Sequence, residues 1–284
     1  MSPRIAVVLG LVLAFIVLGF AIVAVQRGRL NANLEASRNN LRQLALFAAH
    51  HTNPDEKPQF KVDLARLPQS VPAATVVLPG TPPENRLSWV VSILPAFDQR
   101  RNPSEKLLAE IKLDQQWNAE PNQQAARTRL PVLLCPENLP ETPPGSPAIT
   151  CYVGIAGVGS DAATLALAPG MPAPPRAGAF RYDEPTPFDC ISDGVSETLL
   201  IGETANSPGP WLQGGPATTR GFDDAAGAKP LLGMNGQFGG FFPNATNFAM
   251  CDGSVRAFTP RTTPDVLLKL ATIAGGKAEM VPEN

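Results

Sequence analysis

The sequence predicts an α+β fold, in which an N-terminal membrane-anchoring helix precedes a globular domain that contains an antiparallel sheet and a short C-terminal helix. Residues 5–25 contain no charged, Asn or Gln side chain, and a helix of about 20 apolar residues can cross a bilayer. The 31 Pro and 24 Gly among 284 residues disfavour long helices in the rest of the chain. Short β-forming runs begin at Thr150, and an Asp-Gly turn lies near the C-terminus.

The chain therefore divides into a tail (1–4), a transmembrane helix (5–25), a stalk helix (26–52) and a globular domain (53–284). The alternative to a retained anchor is a cleaved secretory signal. Its apolar region usually has about 7–15 residues and ends at a small-x-small site. Here the apolar run ends in Ala-Val-Gln-Arg at 24–27. This ending favours the anchor, which membrane lipid would surround at residues 5–25.

The segment after the anchor predicts an amphipathic stalk. Apolar side chains recur at spacings of three, four and seven residues, at Leu30, Leu34, Leu41, Leu44 and Ala48, which is typical of a helix with one buried face. We expect the helix to end before Asn53-Pro54, because proline disfavours the helical conformation of the preceding residue. The alternative is a separate surface helix after a break, with Gly28 as the candidate hinge.

The globular domain is expected to contain short helices first and strands later. Capping residues and helical spacing predict helices at 104–113 and 122–129, and the apolar run 87–95 fits a buried helix or strand. Strands are predicted at 150–155 and 198–202, and the segments 158–188 and 204–235 are expected to be long irregular loops.

The clearest local signal is a hairpin over residues 247–258. Asp252 and Gly253 lie between two short alternating runs, and Asp-Gly favours positive φ at both positions of a two-residue turn. Downstream, Thr263 is a candidate N-cap with Pro264 at the first helical position, followed by apolar residues on one face. A short C-terminal helix is expected there.

The residues that could perform chemistry form no recognisable site. Net charge is only −2, with none of the dense Lys/Arg stretches that neutralise phosphates, so nucleic-acid binding is disfavoured. The two histidines, His50 and His51, are adjacent in the stalk and point apart on a helix. The sequence contains no Gly-x-Ser-x-Gly turn and no Cys-x-x-Cys pair. We therefore expect no catalytic residue, no cofactor and no metal.

An acidic cluster is the nearest approach to a cation site. Asp183, Glu184, Asp189 and Asp193 could supply oxygen ligands to calcium, but their spacing matches no EF-hand loop. Solvated loop carboxylates are the favoured interpretation.

The four cysteines and the charges beside the anchor make opposite predictions about topology. Cys135, Cys151, Cys190 and Cys251 all follow the anchor, and their even number is consistent with two disulfides in an oxidising compartment. The alternative is four buried free thiols. Arginines near the span are more numerous on its C-terminal side, which alone would keep the domain in the cytoplasm, at positions Arg27, Arg29, Arg38 and Arg42 against Arg4.

The ordered motifs resemble a bacterial pseudopilin-like family, known mainly from planctomycetes and named only as domain of unknown function fifteen-fifty-nine. They are the post-membrane segments 24–29 and 39–44, Ser-Trp-Val-Val-Ser-Ile-Leu-Pro at 88–95, Leu-Cys-Pro at 134–136, Tyr-Val-Gly at 152–154, Ile-Ser-Asp-Gly-Val-Ser-Glu-Thr at 191–198, Gly-Glu at 202–203, and 248–255. Members look like general secretion pseudopilins of the G type at the N-terminus. The resemblance implies a pilin-like helix packed along an antiparallel sheet, and a domain outside the bacterial cell membrane.

Two departures from the family pattern limit what the resemblance implies. The family signature has a His nine spacers before Asp-Gly, and Phe242 occupies that position. The chain also lacks the Gly-Phe-Thr-Leu-x-Glu prepilin site, and residues 5–25 contain no carboxylate. Prepilin cleavage and carboxylate-guided filament assembly are therefore not expected. The chain is expected to be a permanently anchored relative of the family.

The leading hypothesis is a non-enzymatic envelope protein with a role in secretion or surface assembly, in contact with other pilin-like or envelope proteins. The alternative is an extracytoplasmic module that binds a ligand or partner, which a pocket lined by Trp211 and Phe222 would favour. Of the three possible disulfide pairings, Cys190–Cys251 with Cys135–Cys151 is weakly favoured, because Cys190 and Cys251 each precede an Asp-Gly region.

Overall fold

The computed structural model describes residues 3–49, 70–96, 103–137, 141–168 and 170–276, with the backbone alone for residues 3–10 and 103–105. The helices in chain order are α1 (Pro3–Ala49), α2 (Val90–Ile93), α3 (Pro103–Glu110), α4 (Gln123–Arg127) and α5 (Pro264–Leu270). The strands are β1 (Ser70–Val71), β2 (Ile149–Thr150), β3 (Tyr152–Val158), β4 (Thr186–Pro187), β5 (Leu199–Glu203), β6 (Gly209–Pro210), β7 (Thr219–Phe222), β8 (Thr246–Met250) and β9 (Val255–Phe258).

Helix α1 combines the predicted anchor and stalk in one uninterrupted helix of 47 residues. It continues through Gly28 without a break. From Leu11 onward its length and apolar composition suffice to cross a membrane. The predicted end of the stalk, with His50 and His51, lies outside the described residues.

A five-stranded sheet forms the centre of the domain, in the order β7-β3-β5-β8-β9. Its neighbours pair antiparallel except β3 and β7, which are parallel. Two short antiparallel pairs, β1 with β4 and β2 with β6, lie beside it. The predicted α+β class is therefore confirmed.

Apolar side chains cover both faces of the central sheet. One face forms the helix-side core with α1, built around Leu41, Leu44, Trp89, Tyr152 and Ile201. The opposite face forms the aromatic core with α5, built around Phe222, Phe238, Phe248, Phe258 and Leu267. Every residue of β3, β5 and β8 is buried, as expected for strands that are covered on both faces.

Two sequence expectations need correction. The segment 204–235 is not wholly irregular, because it contains β7, an edge strand of the central sheet. The turn at Asp252-Gly253 is not a two-residue turn with positive φ at both positions. Of the two residues, only Gly253 has positive φ, at 82°. The turn also contains three residues, because the Met250 amide donates to the Ser254 carbonyl at 2.8 Å.

The Asp252 carboxylate explains the difference in the turn. Its Oδ1 accepts from the Ser254 amide at 2.8 Å and from the Ser254 hydroxyl at 2.6 Å. This side-chain bond to the backbone two residues on is a local turn that Asp forms readily. The hairpin itself is present, with β8 and β9 antiparallel.

Candidate functional site at the helix–sheet interface

The site lies where the C-terminal half of α1 crosses the central sheet. Leu41, Leu44 and Ala48 are fully buried there, which is the apolar stripe that the spacing predicts. Ser37 is also fully buried, although it is polar. It occupies the stripe midway between Leu34 and Leu41 and faces the sheet.

Glu203, at the end of β5, is the carboxylate that meets this helix face. It has no exposed surface. Its Oε2 accepts from the Ser37 hydroxyl at 2.7 Å, and its Oε1 accepts from the Asn247 backbone amide at 2.8 Å. The Asn247 side-chain amide donates to both oxygens, at 3.0 and 3.1 Å. Arg38, one residue after Ser37, donates from Nε to the Asn247 Oδ1 at 3.1 Å.

Tyr152 on β3 extends the hydrogen-bond network. Its hydroxyl lies 3.0 Å from the Ser37 hydroxyl, and the Asn40 amide donates to it at 3.4 Å. The Ser37 hydroxyl has a single hydrogen, and it donates this hydrogen in the bond to Glu203. The Tyr152 hydroxyl is therefore the donor in its hydrogen bond with Ser37. The network thus runs from Asn40 through Tyr152 and Ser37 to Glu203.

Burial governs the protonation of these groups. It raises the pKa of the Glu203 carboxyl above its ordinary value of 4.5, against the opposing effect of the Asn247 and Ser37 donors and the Arg38 charge. It likewise raises the pKa of the Tyr152 hydroxyl. The buried carboxyl is closed off from solvent, and its hydrogen bonds fasten α1 to the sheet.

The four cysteines are free thiols in the structure, so the predicted disulfides Cys190–Cys251 and Cys135–Cys151 are not formed. Cys135, Cys151 and Cys251 instead pack as small apolar side chains in the helix-side core. Burial raises the pKa of the Cys151 thiol to about 11, against a hydrogen bond with the Cys135 backbone. Cys190 is half-buried, on the wall of a cleft.

The predicted acidic cluster does not converge. Asp183 pairs with Arg86, and Glu184 pairs with Arg181 at 3.1 Å. Asp193 accepts from the Gly276 amide at 3.2 Å. Among the described residues, no three His, Cys, Asp or Glu side chains lie close enough to hold a metal ion.

The other residues that the sequence singles out, Phe242, Trp211 and Phe222, are buried core residues. Phe242, in the position of the family His, is buried in the helix-side core. Trp211 and Phe222 are fully buried, but in different cores, so they do not line a common pocket.

Glu203 and Tyr152 belong to the resemblance only through Gly-Glu at 202–203 and Tyr-Val-Gly at 152–154, and no motif assigns a role to Ser37 or Asn247. One available signal was Glu203 at the end of the apolar run Leu-Leu-Ile-Gly-Glu, because carboxylates are rarely buried without partners. The other was Ser37 at the helical spacing of the stripe.

Comparison with known proteins supports a family assignment. No curated protein and no solved structure matches the chain. The family described as "Protein of unknown function (DUF1559)" matches residues 35–231, a range that includes α1 from Glu35, the Ser37–Tyr152–Glu203 network and strands β1 to β7. The chain belongs to this family.

Proposed function

We propose that the protein is a non-enzymatic, membrane-anchored envelope protein of the pseudopilin kind. In this proposal, α1 holds the globular domain at the membrane surface. The observation that carries the proposal is the contrast along this single helix. Residues 11–29 are exposed throughout, including Phe15 and Phe20 at 73% and 74%. From Ser37 to Ala48 the same helix supplies a face of the helix-side core.

The exposed half of α1 is stable only in an apolar surrounding. A run of exposed Leu, Ile, Val and Phe side chains is unfavourable in water, and lipid removes that surface from water. Because the helix has no break, the proposed anchor continues directly into the part of α1 that packs in the domain. The fastening at Ser37 and Glu203 lies about three helical turns beyond the end of the apolar run.

The proposed topology places the domain outside the cell. The pseudopilin resemblance supports it, whereas the arginines after the span favour the opposite orientation. The free cysteines no longer indicate an oxidising compartment. Other envelope proteins of the pilin-like kind are the proposed partners.

Protease accessibility on intact spheroplasts tests this proposal. The expected result is digestion of the domain together with an N-terminus that remains at the start of the chain. Protection of the domain, with digestion only after lysis, would overturn the outward topology. A new N-terminus within residues 1–30 would overturn the permanent anchor.

A second candidate function is ligand binding in the segment 158–188. A cleft of about 830 Å³ lies there, between residues 167–168 and 170–173 on one side and the stretch from Arg181 to Ser192 on the other. If the cleft holds a solute, native mass spectrometry of the full chain will show an added mass that Ala173→Trp removes. Identical spectra for the two chains would rule the cleft out.

A further inference from the structure

Arg220, on edge strand β7, is a half-buried cation without a counter-ion in the described part of the chain. Four other arginines of the described residues are buried or half-buried, and each has a carboxylate partner: Arg38 with Glu35, Arg86 with Asp183, Arg181 with Glu184, and Arg256 with Glu197. Arg220 is also half-buried, but it forms no ion pair within the described part of the chain.

The groups around Arg220 are neutral. Its Nη2 donates to the Thr204 hydroxyl at 3.1 Å and to the Asn206 carbonyl at 3.4 Å. Its Nε is fully buried and has no hydrogen-bond partner. The guanidinium carbon lies 5.7 Å from the centre of the Phe238 ring. These contacts orient the side chain, but none of them cancels its charge.

An uncompensated charge in such a place is costly. Taking a cation out of water without a counter-charge is unfavourable, and proteins offset the cost by pairing it. Burial lowers the pKa of Arg220, with no opposing charge to raise it. The carboxylates nearest in sequence, Asp223 and Asp224, are exposed, and neither pairs with Arg220: Asp223 accepts from the Ala225 amide, and Asp224 acts on Arg176. Glu203 does not serve either, because it faces α1 on the other side of the sheet.

The surroundings of Arg220 also contain an unusual backbone. Ser207 has φ of 60° and is the only residue other than glycine with positive φ in the described residues. The Asn206 side chain donates to the Met234 and Gly236 carbonyls at 3.2 and 2.7 Å. Residues 206–207 are thus held against the segment 233–240, and Ser207 and Met234 are exposed beside this junction. Strained backbone that is held in place in this way is frequent at ligand-binding sites.

We propose that Arg220 binds the carboxylate of a small organic acid. The open donor is Nη1, because Nη2 already donates to Thr204 and Asn206 and Nε is fully buried. A carboxylate oxygen is a strong acceptor for such a charged N–H donor. The charge count favours a carboxylate over phosphate, because a single cation among neutral groups neutralises one negative charge and would leave a dianion partly uncompensated.

Thermal unfolding of the full chain in a non-ionic detergent, with acetate as the probe, tests the proposal. At constant ionic strength, replacing chloride by acetate is expected to raise the melting temperature in a saturable manner. Inorganic phosphate is expected to give a smaller rise. A larger rise with phosphate would overturn the carboxylate assignment, and no saturable rise with acetate would overturn the site.

Two variants assign the effect to Arg220. Arg220→Met is expected to abolish the acetate dependence, and in chloride it should unfold at no lower temperature than the wild type, because it removes an unpaired, half-buried charge. Arg220→Lys keeps the charge but has one nitrogen in place of the separate Nη1 and Nη2 donors, and is expected to weaken the apparent acetate affinity about tenfold. It provides the comparison if Arg220→Met does not fold.

Arg176→Met is the matched control, because Arg176 is exposed and paired with Asp161 at 2.7 Å. It should retain the full acetate effect. Unchanged acetate dependence in both Arg220 variants, or its loss in Arg176→Met, would overturn the proposal.

Discussion

Glu203 joins α1 to the sheet through hydrogen bonds, in addition to the apolar contacts of the helix-side core. Ser37 supplies the one donor from α1, and Asn247 supplies the donors from β8. A buried acceptor that loses its donor loses more free energy than the hydrogen bond itself contributes, because it stays desolvated. Ser37 should therefore be more important for stability than its size suggests.

Ser37→Ala removes this donor without changing the backbone. The free energy of unfolding is expected to fall by about 1–3 kcal/mol, since Glu203 keeps its burial and loses a partner. Urea unfolding of the full chain in detergent measures the change. Asn39→Ala is the control, because Asn39 is exposed and bonds only Arg42, and should cost within about 0.5 kcal/mol. Equal effects of the two substitutions would contradict the role of Ser37.

Glu203 also predicts a pH dependence. Its folded pKa is raised above 4.5, so folding favours the protonated carboxyl. The stabilising contribution is complete below the unfolded pKa and is lost as the pH rises through the folded pKa. In unfolding series from pH 4 upward, the wild type should lose stability relative to Glu203→Gln. A difference between them that stays constant, or that changes in the opposite direction, would contradict the raised pKa.

Single residues show what the sequence could reveal of the site. Ser37 sits at the spacing of the apolar stripe, and Glu203 ends a buried strand, so both were readable as polar residues in apolar positions. The sequence does not predict that they pair, because residues 37, 152, 203 and 247 come together only in the folded sheet. The sequence likewise cannot predict that Arg220 has no acidic partner among the described residues, because its neighbours are known only from the fold.

Among the elements, α1 owes its packing to the face that the heptad-like spacing predicts. Leu41 has no exposed surface, whereas Leu46 on the same helix is 49% exposed. Leu41→Ala is expected to lower the free energy of unfolding by about 2–5 kcal/mol, because it leaves a cavity in the helix-side core. Leu46→Ala, the matched control, should cost about 0.5 kcal/mol or less. Calorimetric or denaturant unfolding compares them, and similar losses would mean that α1 does not pack as described.

The β8–β9 hairpin depends on one glycine. Gly253 has φ of 82°, and a Cβ added there would meet only Leu46, at 3.6 Å. Gly253→Ala should therefore cost about 1–2 kcal/mol through backbone strain alone. Gly28→Ala, within α1 and with no atom near its Cβ position, should have the opposite sign through helix propensity. Thermal unfolding of both variants measures the two changes in stability. An unchanged stability of Gly253→Ala would contradict the turn geometry.

Local signals predict where an element lies better than its detailed geometry, because the hairpin turn differs from the predicted type and Thr263 forms no side-chain hydrogen bond to α5. The hairpin, α3 and α5 follow from turn and capping residues close in sequence, and the structure has helices at Pro103–Glu110 and Pro264–Leu270. Strand β7 was missed because Thr-Arg-Gly-Phe alternates weakly. It becomes a strand by pairing in parallel with β3, more than 60 residues earlier in the chain.

At the scale of the whole molecule, the two halves of α1 have different surroundings: residues 11–29 are exposed, and residues from Ser37 to Ala48 pack in the domain. Its first half has the composition of a membrane span, and its second half completes the core of the domain. Composition and periodicity were enough to predict both parts and the α+β class. The biological role was not predictable in the same way, because no motif in the sequence performs chemistry and the family is itself described only as one of unknown function.

Alkaline carbonate extraction of cell membranes that contain the full chain tests the central claim most directly. The chain should remain in the membrane pellet. A variant with Leu13→Lys and Leu18→Lys should be released, because each lysine at the centre of a span costs about 2.5–3.5 kcal/mol. Release of the wild-type chain by carbonate, or retention of the double variant, would contradict an α1 that anchors the domain through the bilayer.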